Sequence, residues 1–398
     1  MRGWTSPRLA GATALVAVAA LTAAGCSDSS SSSGPGGQTV QSTAAAGQAN
    51  ALKGVCPDTV VFQTNWWPQA EYGGLYRLLG PNPTVDQNKK KVTGPLVDNG
   101  VDTGVKVELR AGGPANNFTP STSLLYTDNS ITFGGADLDS AAQISGSGKP
   151  VLGVFAPLDL SPVVLMWDPV QHPDFNTIAD IGQTDTKVIY FQGATYMAYL
   201  LGAGLLRNSQ VSASYAGTPE QWKASKGSIV QQGYVTNEVI RYQNDPTVWG
   251  KKVAYQLVAD SGYPVYPETL TIRPDRKQEL SGCLKKLVPV LQRSTVAYVG
   301  DPGTTNTFIS GLVDKYSKGG AFPYSKQQGD AAAKAMKDNA ILGNGSNKAV
   351  GDFDDTRVKK IIDIVTPIFA GQKTPVKSGL QPSDLVTNEF IDPSIGVK

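Results

Sequence analysis

The order of strand-like and helix-like segments constrains the fold of this 398-residue chain more than any other feature. Short β-branched or apolar runs, such as Thr59–Thr64, alternate with segments of helical periodicity. This alternation predicts an α/β body with largely parallel sheets. One group of strand candidates ends near residue 167, a second group begins near residue 177, and the pattern turns helical from Arg276 onward. We therefore expect two lobes, with the chain crossing from the first to the second and back, and a helical C-terminal part.

Residues 1–25 have the composition of a secretory signal peptide. Arg2 and Arg8 precede an apolar run from Leu9 to Ala24 that is too short and too alanine-rich for a comfortable membrane span. Small residues lead into Cys26, and this pattern resembles a bacterial lipoprotein signal, in which the cysteine is lipidated and becomes the mature N-terminus. Ala23 stands where such signals most often have leucine, so an ordinary secreted protein and an uncleaved anchor are the alternatives.

Residues 26–52 are rich in Ser, Gly and Ala and predict a disordered tether, since they carry too little apolar area to fold. A lipid anchor followed by a tether places the protein outside the cytoplasm, attached to the bacterial cell membrane. The expected location argues against most cofactor-dependent metabolism, and we expect no cofactor.

The charge balance excludes a basic surface for nucleic acid. The chain has 35 basic and 33 acidic residues, and removal of the signal peptide with its two arginines leaves a formally neutral mature protein. His172 is the one histidine of the sequence, so a histidine-dependent triad or a multi-histidine metal site cannot be built. We expect no metal site.

Two cysteines remain if lipidation consumes Cys26. Cys56 and Cys283 are then an even pair in an oxidising compartment, which favours a disulfide. Two buried free thiols are the alternative. A catalytic cysteine is disfavoured because no histidine is placed to activate it.

Polar and aromatic residues follow the first-lobe strands. Trp66 and Trp67 are adjacent at the end of a strand, so both cannot point into one core, and ligands of open α/β sheets bind at that edge. Gln69 and Glu71 follow them, and Asp137 comes after a second strand and a glycine pair. The alternative is one core tryptophan, one surface tryptophan and a solvated Glu71.

The second group of strands ends in loops that carry Gln192, Tyr215, Gln232, Tyr234 and Glu238. We find no lysine or arginine in these loops, which favours a neutral or weakly charged ring-bearing ligand over a strong anion. Ordinary polar loops are the alternative.

Several segments resemble a known family. VVFQTNWWPQAEYGGLY, ITFGGADLD, YFQGATYMAYLLG and QQGYVTNE are similar to substrate-binding lipoproteins of ABC importers related to binders of thiamine pyrimidine precursors, a group that includes sulfonate and nitrate binders. The resemblance spans about residues 55–365. It implies the type II periplasmic-binding fold, in which two lobes joined by two crossovers close on a ligand.

On this chain the resemblance implies lobe one at 55–165 with 265–398 and lobe two at 166–264. The crossovers would lie near residues 166–168 and 263–267. The residues expected to bind the ligand are Asn65, Trp66, Trp67, Gln69, Glu71, Tyr72 and Asp137 of lobe one, with Gln192, Tyr215, Gln232, Tyr234 and Glu238 of lobe two.

The leading hypothesis is a solute-binding lipoprotein that acts as a monomer, binds a small heteroaromatic ligand and delivers it to an ABC permease. Enzymes related by fold use a histidine near the first strand, which this chain lacks, so we expect no enzymatic activity. The alternatives are a secreted hydrolase with Asp137 and Glu71 as its carboxylate pair, and a ligand sensor for a membrane partner.

Overall fold

The structure, a computed structural model, describes residues 34–317 and 323–398, and their strands form two sheets. The strands of the first sheet are β1 (Ser42–Thr43), β2 (Thr59–Gln63), β3 (Thr84–Asp86), β4 (Lys91–Asp98), β5 (Val101–Arg110), β6 (Phe133–Ala136), β7 (Leu152–Phe155) and β13 (Thr269–Ile272). Their order is β3-β4-β5-β2-β6-β13-β7, with β1 beside β5. β2 is parallel to β5 and β6, whereas β13 is antiparallel to β6 and β7.

The strands of the second sheet are β8 (Val163–Trp167), β9 (Val188–Ile189), β10 (Val211–Ser212), β11 (Val230–Tyr234) and β12 (Ala254–Leu257). Their order is β10-β9-β11-β8-β12, and β8 is antiparallel to both of its neighbours. Both sheets are therefore mixed rather than largely parallel. The sequence pattern missed β3, which has only three residues, and β4, in which lysine, glycine and proline, which are poor strand formers, interrupt the apolar residues.

Twelve α-helices occur in the described ranges, and they are α1 (Gly73–Tyr76), α2 (Ser121–Thr127), α3 (Leu138–Ile144), α4 (Ile178–Gly182), α5 (Thr195–Gly202), α6 (Glu220–Ala224), α7 (Glu238–Asn244), α8 (Lys277–Gly300), α9 (Gly303–Ser317), α10 (Lys326–Asp338), α11 (Asp355–Gly371) and α12 (Pro382–Leu385). Within those ranges, no helix is both long and apolar enough to cross a membrane. The C-terminal part is helical, as expected.

The chain passes between the sheets twice, at 156–162 and at 258–268. This topology, two α/β sheets with two crossovers and a helical C-terminal part, confirms the expected type II periplasmic-binding fold. The first crossover lies earlier than the expected residues 166–168, because all of β8 belongs to the second sheet. Apolar residues of β8 are buried on both faces, which a central strand requires.

A disulfide joins Cys56, just ahead of β2, to Cys283 in α8, with Cα atoms 4.6 Å apart. In α8 the leucines at positions 280, 284, 287 and 291 are buried, and their helical spacing turns one face of the helix toward the core. The bond therefore ties the C-terminal helices to the first sheet across 227 residues of sequence.

The structure differs from the expected tether over residues 34–52. The Gln38 amide donates to the carbonyls of Arg77 and Val97, and β1 pairs with β5. Backbone pairing and amide hydrogen bonds attach this segment without the apolar burial that its composition lacks. The predicted signal peptide and Cys26 lie outside the described residues.

Candidate ligand-binding cleft

A cleft of about 390 Å³ is lined by loops of both sheets. Its first-sheet wall consists of the loops that follow β2, β5 and β6, together with the crossover that enters β13. Its second-sheet wall consists of the loops that follow β9, β10 and β11, with the start of α7. The volume lies within the range of about 300–1,000 Å³ that small-molecule sites occupy.

Ten of the twelve residues predicted to bind a ligand line this cleft. They are Asn65, Trp66, Trp67, Gln69, Asp137, Gln192, Tyr215, Gln232, Tyr234 and Glu238. Glu71 and Tyr72 line a separate cavity of about 10 Å³. The structure thus brings together residues from distant parts of the sequence, and their role in binding stays a prediction.

The tryptophans of the first-sheet wall differ in exposure. Trp67 is 7% exposed and meets Tyr316 edge to face at 6.0 Å between ring centroids. Trp66 is half-buried and lies 5.9 Å from the ring of Phe118, whose side chain is 56% exposed. Trp66 and Phe118 therefore offer the aromatic surface that a ring-bearing ligand would contact on this wall.

Two glycine pairs that follow β5 and β2, Gly112-Gly113 and Gly73-Gly74, serve packing between protein groups. A Cβ at Gly113, whose φ is +58°, would lie 2.6 Å from the Trp66 ring. A Cβ at Gly73 would lie 2.1 Å from the ring of Tyr298, and one at Gly74 would lie 2.8 Å from Thr295. The second pair therefore permits α1 to approach α8, rather than letting the backbone approach a ligand.

Asp137 and Glu268 meet because of strand register. Ala136 of β6 pairs with Thr269 of antiparallel β13, so the residue that follows β6 lies beside the residue that precedes β13. The Glu268 amide accordingly donates to Asp137 Oδ1 at 3.1 Å. Burial and the negative charge of Asp139 raise the pKa of Asp137 to about 7.

Glu268 combines burial with an uncommon backbone. Its side chain is 8% exposed, its Oε2 atom has no hydrogen-bond partner, and its φ is +52°. Burial, and then the charge of Asp137, raises the pKa of Glu268 well above its ordinary value. Backbone strain and an unsatisfied buried group both cost free energy, and such features concentrate at functional sites.

The other two carboxylates of the cleft are bound by protein groups. Asp139 accepts from the Tyr263 hydroxyl and the Ser140 amide, both at 2.7 Å. Glu238 accepts from the Tyr234 amide at 2.8 Å and from the Tyr215 hydroxyl at 3.1 Å. These bonds give both side chains a structural role.

The second-sheet wall is organised around Gln232. Its carbonyl oxygen accepts from the Phe191 amide at 2.8 Å and from the Tyr196 hydroxyl at 2.7 Å. Both lone pairs are thereby used, so the side-chain NH₂ is the group that Gln232 offers to a ligand. Phe191, at the rim, is 40% exposed.

Glu71 links the two sides of the cleft instead of lining it. Its buried carboxylate accepts from the hydroxyl of Thr236, which follows β11, at 2.5 Å. A second bond, from the Gln328 amide to Asn237 at 2.7 Å, joins α10 to the same loop. The carboxylate pair of the hydrolase alternative is therefore not assembled, because Glu71 does not face the cleft where Asp137 lies.

The sequence pattern missed Phe118, Asp139, Arg241 and Glu268 in the cleft lining. The second-sheet loops carry no cation, as expected, but Arg241 of α7 adds one to the cleft lining. Glu268 precedes an antiparallel strand, whereas the rule for ligand sites in α/β sheets applies to residues that follow strands. His172 lies outside the cleft, where it stacks on Phe175 at 4.6 Å between centroids.

No family model and no curated protein matches this chain. Solved structures are similar at low identity. A protein of Bordetella bronchiseptica RB50 is 11% identical, covering 84% of this chain and 96% of its own, with a TM-score of 0.49. The ligand-binding component of an ABC-type import system from Staphylococcus aureus, with zinc bound, is 12% identical, covering 83% and 97%, with a TM-score of 0.48.

The periplasmic aliphatic sulphonate-binding protein of Escherichia coli is 10% identical, covering 82% of this chain and 94% of its own, with a TM-score of 0.47. Similarity of this degree does not bear on the ligand or the partner of this chain.

Proposed function

We propose that this chain is the extracytoplasmic solute-binding component of an ABC importer. In this proposal the cleft binds a small heteroaromatic molecule, and the two sheets with their helices close on it and present it to a permease. Lipidation at Cys26 would hold the monomeric protein at the membrane. The proposal extends the family resemblance of the sequence to the geometry of the cleft.

The observation that carries the proposal is the aromatic lining from both walls of one cleft. Trp66 and Phe118 belong to the first-sheet wall, and Phe191 and Tyr215 belong to the second. Aromatic side chains on both walls suit a flat ring, and the Gln232 NH₂ suits a ring nitrogen that accepts a hydrogen bond. Two crossovers between the sheets are the connections at which a hinge could act. Differential affinity of the ligand for the closed arrangement would drive closure.

Thermal unfolding of the purified protein against a panel tests the proposal. The panel contains pyrimidine precursors, thiamine, flavins, nucleobases, sulfonates and nitrate. A ligand at 100 times its dissociation constant adds about 2.7 kcal/mol of stability, which raises the midpoint by a few degrees. We expect a ring compound to produce this shift, and the Trp66→Ala variant to lose it.

Val170→Ala is the matched control, because Val170 is apolar and 79% exposed but lies outside the cleft lining. It should retain the full shift. A response to nitrate or sulfonates alone would contradict the proposed ligand class, and silence from every ring compound would contradict the proposed function.

A further inference from the structure

The charged groups of the cleft are unequally distributed in sign. Among the described residues that line it, four carry carboxyl groups and one, Arg241, carries a guanidinium. Burial raises the pKa of Glu238, and its hydrogen bonds and the positive charge of Arg241 offset part of that rise. The remaining three carboxyl groups, those of Asp137, Asp139 and Glu268, have no cation among the described lining residues.

Donors of the protein satisfy the carboxylate of Asp139, whereas the carboxylates of Asp137 and Glu268 can accept further hydrogen bonds. Tyr263 and Ser140 donate to Asp139. Asp137 receives one donor among the described residues, the Glu268 amide, and its side chain is half-buried at the cleft. Tyr72 and Asn65 hydrogen-bond to the carboxyl group of Glu268, but its buried Oε2 atom has no hydrogen-bond partner. A buried carboxylate oxygen without a partner is unfavourable until a donor or a cation reaches it.

We propose that the ligand carries a positively charged group with N–H donors, a protonated amine or an amidinium, and that the carboxylates of Asp137 and Glu268 bind this group. The aromatic body of the ligand lies against Trp66 and Phe118 on the same wall. This inference rests on the proposed function and specifies its ligand class. It changes the sequence-based expectation from a neutral ring to a cationic one.

A metal ion is a poorer occupant of the same place. In the described ranges, no group of three or more histidine, cysteine, aspartate or glutamate side chains is arranged to hold a metal ion. An amidinium or ammonium group instead matches two neighbouring carboxylates whose capacity to accept hydrogen bonds is not filled by the described residues.

Calorimetric titration with three probes of one skeleton tests the inference. Benzamidine is a cation with N–H donors at neutral pH, benzamide is its neutral counterpart, and benzoate is its anionic counterpart. We expect benzamidine to bind most tightly and benzoate most weakly. Glu268→Gln and Asp137→Asn should each weaken benzamidine binding roughly tenfold or more, since they remove a charged acceptor. Benzamide binding should change little.

Asp185→Asn is the control, because it removes one negative charge from a fully exposed side chain outside the cleft lining. It should bind benzamidine as the wild type does. Both cleft variants are isosteric and remove a buried charge, so their unfolding midpoints without probe should not fall. If the unfolding midpoints of the two variants fall, their weaker binding results from a damaged fold, and the inference is overturned.

The pH dependence gives an independent readout. The titratable groups that face Asp137 and Glu268 are Asp139, Glu71, Tyr72, Tyr234 and Tyr263. A cation prefers the ionised carboxyl groups, so its binding releases protons held at raised pKa values. Benzamidine affinity should therefore fall as the pH is lowered through about 7, the pKa of Asp137. Benzamide affinity should not fall with it.

The outcomes separate the two proposals. If benzamide or benzoate binds as tightly as benzamidine, and Trp66→Ala abolishes the binding, the charge inference fails while the cleft function stands. If none of the three probes binds, the charge inference fails. The proposed function then fails too only if no ring compound of the thermal panel stabilises the protein.

Discussion

The two walls of the cleft differ in how completely their polar groups are hydrogen-bonded within the protein. On the second-sheet wall, Gln232 and Glu238 accept hydrogen bonds from neighbouring amides and hydroxyls. On the first-sheet wall, Glu268 keeps an unpartnered oxygen, and Phe118 is largely exposed beside Trp66. In the proposed function, the first-sheet wall would therefore carry the ligand-specific chemistry. The second-sheet wall would supply a preformed surface that completes the enclosure.

The backbone shows the same contrast. Asn117, Phe118 and Glu268 of the first-sheet wall have φ values of +56°, +58° and +52°. Residues in this region are uncommon outside glycine and persist where the surroundings hold them. The first sheet provides such support, because it has the longer strands and the disulfide to α8.

The largest expected effect concerns that support. Replacement of both Cys56 and Cys283 by serine should lower the free energy of unfolding by about 5 kcal/mol, because the bond closes a long loop in the unfolded chain. Denaturant titration of wild type and double variant measures this difference. Reduction of the wild type should reproduce it, and equal midpoints would show that the disulfide does not stabilise the first-sheet wall.

The next largest effect compares how much each wall contributes to ligand affinity. Trp66→Ala should weaken binding of a ring ligand by about 1–3 kcal/mol, as loss of one stacking platform does. Trp66→Phe retains a ring and should lose less. Tyr215→Phe on the opposite wall keeps its aromatic face and should change affinity little. Calorimetry on the three variants measures the loss of affinity for each wall. A larger loss of affinity in Tyr215→Phe than in Trp66→Ala would show that the second-sheet wall contributes more to binding.

Gly113→Ala tests whether the position of Trp66 depends on backbone geometry. At a φ of +58° an alanine is strained by about 1–2 kcal/mol, and its Cβ would lie 2.6 Å from the indole. We expect lower stability together with weaker ligand binding. Gly148→Ala is the matched control, since its φ is +75° and no atom lies within 4 Å of its Cβ. It should lose stability but bind as the wild type does.

The smallest expected effect concerns the bond between the walls. Thr236→Val removes the hydroxyl that donates to Glu71 and should cost about 1 kcal/mol of unfolding free energy. It should also weaken ligand binding, because the observed arrangement of the two walls loses one link. Thr236→Ser keeps the hydroxyl and should restore both. Unaltered binding in Thr236→Val would show that this bond does not hold the walls together.

Much of this architecture is predictable from sequence because it follows local rules. Val163–Trp167 is a continuous apolar run and forms the predicted strand with the same bounds. The Trp66–Trp67 pair and Asp137 lie at strand ends, where the rule for ligand sites in α/β sheets places them.

What the sequence could not predict depends on tertiary register. Glu268 joins Asp137 only because β13 runs antiparallel to β6, and no local pattern encodes that pairing. Glu71, two residues from the cleft-lining Gln69, turns away because the chain forms a 3₁₀ turn at Ala70–Tyr72. The negative charge of the cleft is hidden from the sequence for the same reason, since Glu268 joins Asp137 and Asp139 only in the folded chain.

The most direct test of the central claim is calorimetric titration of wild type and Trp66→Ala with the ring compound that most raises the unfolding midpoint of the wild type. The account predicts one site per chain in the wild type, an affinity weakened by about 1–3 kcal/mol in Trp66→Ala, and an unchanged affinity in Val170→Ala. Equal affinity in wild type and Trp66→Ala would place the ligand outside the cleft and contradict the account.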